Sequence, residues 1–214
     1  MYDLAIFDMD GTIADTSLGI INSHRYAHKI MGRPVPSEEI LYSVIGGPLL
    51  QTYTSRFGFS EPEARSAVAA YRDYYSNYGI HEASLYPGIE QTLKELFCNG
   101  VKLAMATLKK EEFSKIMLKK MGILNFFTVI YGMDKYDTRT KSQLIEMCMN
   151  TTGIPKDNSI MIGDSIHDLN GAKTCGISFL GVTYGFGFLP NQEYNIQLVS
   201  SAKEITRVVT DSNI

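Results

Sequence analysis

Two aspartates two residues apart, Asp8 and Asp10, close the first apolar run, Leu4-Ala5-Ile6-Phe7, and are followed by Gly11 and Thr12. Three more groups of chemistry-bearing residues stand at comparable places. Thr107, with Leu108 and Lys109, follows Leu103-Ala104-Met105-Ala106; Lys141 ends Asp137-Thr138-Arg139-Thr140; Gly163-Asp164-Ser165-Ile166-His167-Asp168 follows Ser159-Ile160-Met161-Ile162. If one fold gathers them, Asp8, Asp10, Asp164 and Asp168 cannot all remain ionised at close range without compensation. A hard divalent cation with oxygen ligands, most naturally Mg²⁺, supplies it while keeping several waters. Lys141 adds a second positive charge and Thr107 a neutral donor. A dianionic phosphoryl group fits as the remaining ligand, because phosphoryl transfer gains chiefly from positioning and charge neutralisation. Taken singly, each group has a plainer reading: an aspartate before glycine is a turn residue, Asp164 and Ser165 cap a helix, and Lys141 is a solvated helix lysine. Their order and their shared placement at strand-to-helix junctions carry the functional reading.

The elements that must position them read as strand-like runs at 3–7, 101–106, 127–131, 159–163 and 177–183, with helix-like stretches at 88–98, 111–120, 140–152 and 166–175. The strand runs are short and apolar on both sides, as in a parallel sheet covered on both faces. Such alternation predicts an α/β fold, a doubly wound parallel sheet, whose strand ends share one crevice. Residues 14–83 break the alternation with helical patterns at 16–31, 37–44, 48–57 and 60–78, punctuated by prolines. They read as an insertion, a lid over the strand edge, and Tyr86-Pro87-Gly88 marks the return to the core. The expected division is a core of 1–14 and 84–214 and an all-helical cap of 15–83. A last helix is expected near 201–209, before a fraying tail.

Composition excludes several classes. The 214 residues are 44% hydrophobic and 20% charged, with a net charge of −3, which gives no electrostatic case for nucleic acid, whose binders usually show a basic face. No apolar stretch approaches the ~20 residues that span a bilayer. Cys98, Cys148 and Cys175 are scattered, which suits reduced thiols rather than a disulfide framework or zinc site. A cytoplasmic protein without a secretory signal is expected, as a monomer or a homodimer.

Asp8-x-Asp10-x-Thr12, Thr107, Lys141 and Gly163-Asp164-x-x-x-Asp168 resemble the four motifs of the haloacid dehalogenase superfamily. The helical insertion after the first motif is similar to that superfamily's C1 cap. Ile45-Gly46-Gly47-Pro48-Leu49, Leu85-Tyr86-Pro87-Gly88 and Thr138-Arg139-Thr140-Lys141 resemble segments of its phosphoglycolate phosphatase-like members, some labelled 5′-nucleotidases. The resemblance implies a Mg²⁺-dependent phosphatase acting on a small phosphomonoester. Asp8 is then the nucleophile that forms an aspartyl-phosphate, and Asp10 protonates the leaving alcohol and later activates water. Mg²⁺ is held by the Asp8 carboxylate, the Asp10 main-chain carbonyl and Asp164, with Asp168 orienting ligands from behind. Thr107 and the amide of Leu108 hold phosphoryl oxygens, and Lys141 tethers Asp8 and the phosphate. Thr12 and Ser165 support the motifs. Alternatives within the superfamily are β-phosphoglucomutase-like phosphoryl transfer and pyrophosphatase activity; Asp10 argues against a dehalogenase, which needs neither leaving-group protonation nor Mg²⁺.

Substrate discrimination is expected from the cap, with His24, Arg25 and Arg56 as candidates, and Arg139 as a further basic residue. His24 and His28 otherwise read as one solvated helix face, and His167 as a surface loop residue. Tyr71, Tyr74, Tyr75 and Tyr78 follow helical spacing and suit a cap core or a dimer surface. Gly185-Phe186-Gly187 reads as a mobile loop at the sheet edge, since no helix-opening glycine completes a dinucleotide fingerprint.

Overall fold

The structure, a computed structural model, describes residues 1–134, 138–188 and 194–211. Asp137 and parts of the tail expected to fray lie outside them. The chain divides into two compact units, Met1–Asp15 with Leu85–Ile214, and Thr16–Ser84.

The first unit is built on a six-stranded parallel sheet. Its strands are β1 (Leu4–Phe7), β4 (Lys102–Lys110), β5 (Phe127–Met133), β6 (Ser159–Gly163), β7 (Ser178–Val182) and β8 (Gln197–Val199), in the order β5-β4-β1-β6-β7-β8. β8, too short and polar to stand out, is a strand that periodicity does not show. The central strand β1 is wholly buried, aligning Phe7 with Met105 on one side and Ile162 on the other. Its residues are apolar in succession because both faces are covered. The covering helices are α5 (Ile89–Cys98), α6 (Glu111–Lys120), α7 (Lys141–Thr152), α8 (Ile166–Cys175) and α9 (Ala202–Thr210). One apolar cluster joins Leu4, Ile6, Ala104 and Met161 of the sheet to Leu144, Ile145 and Ala172 of α7 and α8. Gly153 and Gly176, both in the left-handed region, stop α7 and α8, the usual work of glycine just past a helix end.

The chain leaves this unit through β2 (Ala14–Asp15) and re-enters through β3 (Ser84–Leu85). The second unit is helical: α1 (Ser17–Ile30), α2 (Glu38–Tyr42), α3 (Leu49–Gln51), a π-helical turn at Thr52–Arg56, and α4 (Glu61–Asn77). α4 starts on a capping box in which Ser60 and Glu63 satisfy each other's donors, with Pro62 in the first turn where its missing N–H is harmless. His24 and His28 do not form a solvated face. They are 1% and 3% exposed within an aromatic box of Tyr53, Phe57, Phe59 and Tyr71. Polarity misled here, because a neutral imidazole is a flat, largely apolar ring that packs well against other rings.

The two imidazoles pay for that packing at low pH. His28 Nδ1 lies 2.8 Å from the Pro34 carbonyl, which can only accept, so Nδ1 carries the proton. Nε2 is then bare and has no hydrogen-bond partner among the described residues. His24 Nδ1 meets the Tyr53 hydroxyl at 3.1 Å. Burial, reinforced by His28, holds His24 down to about 3, and burial also lowers His28. A folded-state value below the unfolded one means that the unfolded chain binds more protons once pH drops under about 6.5. Stability from these groups is therefore complete above that pH and is lost as pH falls toward 3. Thermal melts from pH 7 to 4 should show a steeper decline for the wild type than for His24→Gln, which cannot titrate. Parallel declines would contradict the expectation.

Candidate active site

The first acid pair sits where β1 leaves the sheet. Asp8 is still in register, its N–H donating to the Ile162 carbonyl at 3.0 Å. The chain then doubles back, with the N–H groups of Ile13 and Ala14 both reaching the Met9 carbonyl at 3.1 Å and Gly11 N–H reaching Ala14 at 3.0 Å. Gly11 takes φ +78°, and a Cβ there would collide with the Asp164 carboxylate. Glycine is required twice over, for conformation and for space.

Lys141 opens α7 behind an N-cap in which Thr140 accepts from Gln143 N–H while the Gln143 side chain reaches back to Thr140 N–H. Its Nζ lies 2.9 Å from Asp8 Oδ1 and 2.7 Å from Asp168 Oδ1, and donates to the Ala106 carbonyl at 2.9 Å. Those three oxygens match its three N–H donors in number. Burial by itself would lower the lysine, but Asp168 and Asp8 outweigh it and hold the ammonium above its ordinary range. Asp168 belongs to the same tie: its Oδ2 accepts from Ser165 N–H at 3.1 Å and from the Ser165 hydroxyl at 2.7 Å. Ser165 thus caps α8, as its plain reading has it, and in doing so orients Asp168.

Asp164 is held from the other side. Its Oδ2 accepts from Phe186 N–H at 2.7 Å and Gly187 N–H at 3.3 Å, and Phe188 N–H donates to its main-chain carbonyl at 2.9 Å. Gly185-Phe186-Gly187, expected as a mobile edge loop, is thus tied to Asp164 through its amides. A Cβ at Gly185 would strike the Gly11 carbonyl and Asp164, so both glycines are demanded by a close approach that sequence distance conceals.

Carboxylate oxygens of Asp8, Asp164 and Asp168 lie within 4.8 Å of one another, all buried. Burial, offset by Lys141 but reinforced by Asp168 and Asp10, raises Asp8 to about 6. Asp164 is raised well above its ordinary value by burial and then by Asp168 and Asp8. Asp8 Oδ1 and Asp168 Oδ1 meet Lys141 at ion-pair distance only, with no aligned hydrogen bond. Hard anionic oxygens, crowded and incompletely satisfied, fit a divalent cation. The charge count agrees: an ionised trio of Asp8, Asp164 and Asp168 sets three negative charges against the Lys141 ammonium, which leaves two negative charges.

Asp10 stands apart from that trio. Its carboxylate is paired with Lys109, Nζ lying 2.9 Å from Oδ1 and 3.0 Å from Oδ2. No role for Lys109 was legible beyond its place after Thr107. Thr107 is buried, and its Oγ1 accepts Lys109 N–H at 3.1 Å, which leaves the hydroxyl proton to donate elsewhere. Leu108 packs against the apolar cluster, so this position offers its backbone and not a side chain. Thr12 is fully buried, its hydroxyl without a hydrogen-bond partner among the described residues, while its carbonyl accepts from Tyr184 OH at 3.1 Å. Tyr184 is a contributor that the sequence did not flag.

The remaining candidates have the following surroundings. Arg139 is committed within the first unit, donating to the Gly132 carbonyl at 2.9 Å and pairing with Glu111 at 3.3 Å. His167 is exposed in the first turn of α8 rather than in a loop. In the helical unit Arg25 pairs with Glu38 at 3.3 Å and Arg56 donates to Ser43 at 3.4 Å. Tyr71 and Tyr75 are buried there, whereas Tyr78 is exposed, so the tyrosine series divides between core and surface.

The profile of haloacid dehalogenase-like hydrolases matches residues 5–182. A 5′-nucleotidase of Pseudomonas aeruginosa is 36% identical over 187 residues, covering 87% of this chain and 85% of that protein. The tyrosine-protein kinase PtkA of Mycobacterium tuberculosis is 35% identical over 185 residues, covering 86% of this chain; the match spans 63% of that relative's length. Among solved structures, a predicted phosphatase from Clostridium acetobutylicum superposes with a TM-score of 0.90 at 33% identity, covering 98% of each chain. With the motif residues converging at the carboxyl edge of a parallel sheet, these matches establish that the chain belongs to the haloacid dehalogenase-like hydrolase family.

Proposed function

We propose that the protein is a Mg²⁺-dependent phosphatase of small phosphomonoesters that works through an aspartyl-phosphate on Asp8. The observation that carries this reading is the separation of two acids with different partners: Asp8 faces Lys141 and the acid trio, Asp10 faces Lys109. An Asp8 oxygen attacks phosphorus as the bond from phosphorus to the leaving oxygen breaks, and Asp10 gives that oxygen its proton. Asp10 then takes a proton from water, whose oxygen attacks the phosphorus of the aspartyl-phosphate, releasing inorganic phosphate and regenerating Asp8. Thr107 donates its hydroxyl, and the Leu108 amide its N–H, to phosphoryl oxygens. Lys141 donates to the Ala106 carbonyl and lies at ion-pair distance from Asp8 and Asp168, so it stabilises the incoming charge by its field while holding Asp8 in line.

Asp8, the Asp10 main-chain carbonyl and Asp164 would hold Mg²⁺, with Asp168 fixing the geometry from behind. When bound, the ion supplies the positive charge that lets a dianion approach buried carboxylates. The family includes relatives named for nucleotide hydrolysis and for protein tyrosine phosphorylation. The second of these favours an alternative in which the phosphoryl group on Asp8 passes to a hydroxyl acceptor rather than to water.

One assay tests these points. Phosphate release from 4-nitrophenyl phosphate should vanish in excess chelator and return with added Mg²⁺. Full activity in chelator would sink the metal assignment. A panel of phosphoglycolate, nucleoside monophosphates, sugar phosphates and pyrophosphate, compared by kcat/KM, then ranks substrates. Adding an acceptor alcohol separates the two fates: transfer shows as nitrophenol release outrunning phosphate release.

A further inference from the structure

We propose that Lys109 is a positioning residue that aims the Asp10 carboxylate at the leaving-group oxygen; this rests on the reading of Asp10 as proton donor and acceptor. The terminal torsion of an aspartate is broad and roughly two-fold, so an unrestrained carboxylate samples many orientations. Here the Lys109 ammonium donates to Oδ2 at 3.0 Å and lies 2.9 Å from Oδ1 without an aligned hydrogen bond, which sets the carboxylate plane and leaves Oδ1 to carry the proton. The side chains are 6% and 9% exposed, so water does not screen the pair.

The surroundings hold Lys109 in turn. The pairing of β4 with β5 shifts register between Ala106 and Lys110, an irregularity of the kind that re-aims a side chain beside an active site. Within it, Thr107 Oγ1 receives Lys109 N–H at 3.1 Å. Across it, Gly132 runs so close that a Cβ would strike the Lys109 carbonyl, and Arg139 clamps the Gly132 carbonyl at 2.9 Å. Thr107 therefore serves two ends in the proposed mechanism, its hydroxyl proton offered to a phosphoryl oxygen and its oxygen accepting the lysine's N–H. A buried ion pair contributes little net stability compared with apolar packing, so the pair is better explained by what it does to Asp10.

The test exploits leaving groups. A ready leaving group needs no proton, and a reluctant one does. In a series of substituted phenyl phosphates, kcat/KM reports the steps up to release of the phenol. For Lys109→Met it should fall about 10²-fold with phenyl phosphate but less than about threefold with 2,4-dinitrophenyl phosphate. Equal losses across the series would mean a structural or phosphate-binding role and would overturn the proposal while leaving the phosphatase reading intact. No release by the wild type would overturn that reading, and the proposal with it. If Lys109→Met fails to fold by circular dichroism, Lys109→Gln carries the same comparison. In an Asp10→Asn background, removing the lysine should cost nothing further, and an additive loss would again overturn the proposal.

Discussion

Asp8→Asn should abolish phosphate release while leaving the protein folded. An amide of the same shape keeps the side-chain volume and an oxygen facing Lys141, but it cannot open a covalent route at phosphorus. Loss of a group that acts within a concerted constellation typically removes activity by about four orders of magnitude or more. The stability side separates the nucleophile from an architectural carboxylate. Burial, together with Asp168 and Asp10, raises Asp8 to about 6 despite Lys141, so the ionised form is disfavoured in the fold before any cation arrives. A raised carboxyl makes the folded chain hold its proton more tightly than the unfolded chain. Its contribution is greatest at low pH and declines as pH rises through about 6. At neutral pH in chelator, the asparagine variant should therefore melt no lower than the wild type, and the difference between them should shrink as pH drops below 6. Turnover within tenfold of wild type would remove Asp8 from the nucleophile's place.

Lys141→Met should damage both activity and stability. The ammonium is buried at the junction of Asp8, Asp168 and the Ala106 carbonyl, and methionine leaves those acids facing one another. Removing one partner of a buried ion pair costs about 3–5 kcal/mol, here measurable by urea denaturation at pH 7 in chelator. The loss should lessen toward pH 5, because a carboxyl freed of its cation takes up a proton and relieves the repulsion. With Mg²⁺ restored, kcat should remain depressed by at least about 10²-fold, the scale of a lost electrostatic contact to developing charge. A variant as stable as the wild type at pH 7 would show that the cluster tolerates its charge without the lysine.

The two effects differ in origin, and the difference reflects what each residue has around it. Asp8 is held against the preference of its surroundings, with burial opposing its charge. Lys141 is held by them, since its two carboxylates outweigh the cost of burial. In the proposed mechanism, chemistry falls to the group whose charge burial opposes and stability to the one its partners satisfy; perturbed groups of the first kind cluster at functional sites.

The acid trio and Lys141 could be read in the chain because each is tied to local grammar. A short apolar strand ends, the chain turns, and a helix begins, so the residues at the junction must stand at the carboxyl edge of a parallel sheet. The same grammar placed most strands and helices of the first unit within a few residues of where they are found. It failed at β8, a three-residue edge strand with a polar first residue, where nothing periodic can accumulate. It failed also for His24 and His28, because residue type predicts solvation whereas the surrounding rings predict burial.

What belonged to the sequence alone was the chemistry in outline: paired carboxylates, a hydroxyl, a lysine and a second acid pair, in an order that a doubly wound sheet brings to one edge. What only the tertiary structure decided was the partner of each group. That Lys109 takes Asp10 while Lys141 takes Asp8 and Asp168, and that Gly11 and Gly185 close around Asp164, are contacts between segments up to about 170 residues apart. Local patterns encode which face a residue occupies. Pairing depends on the register between strands and on a few ångströms of close approach, and those distances exist only once the chain has folded.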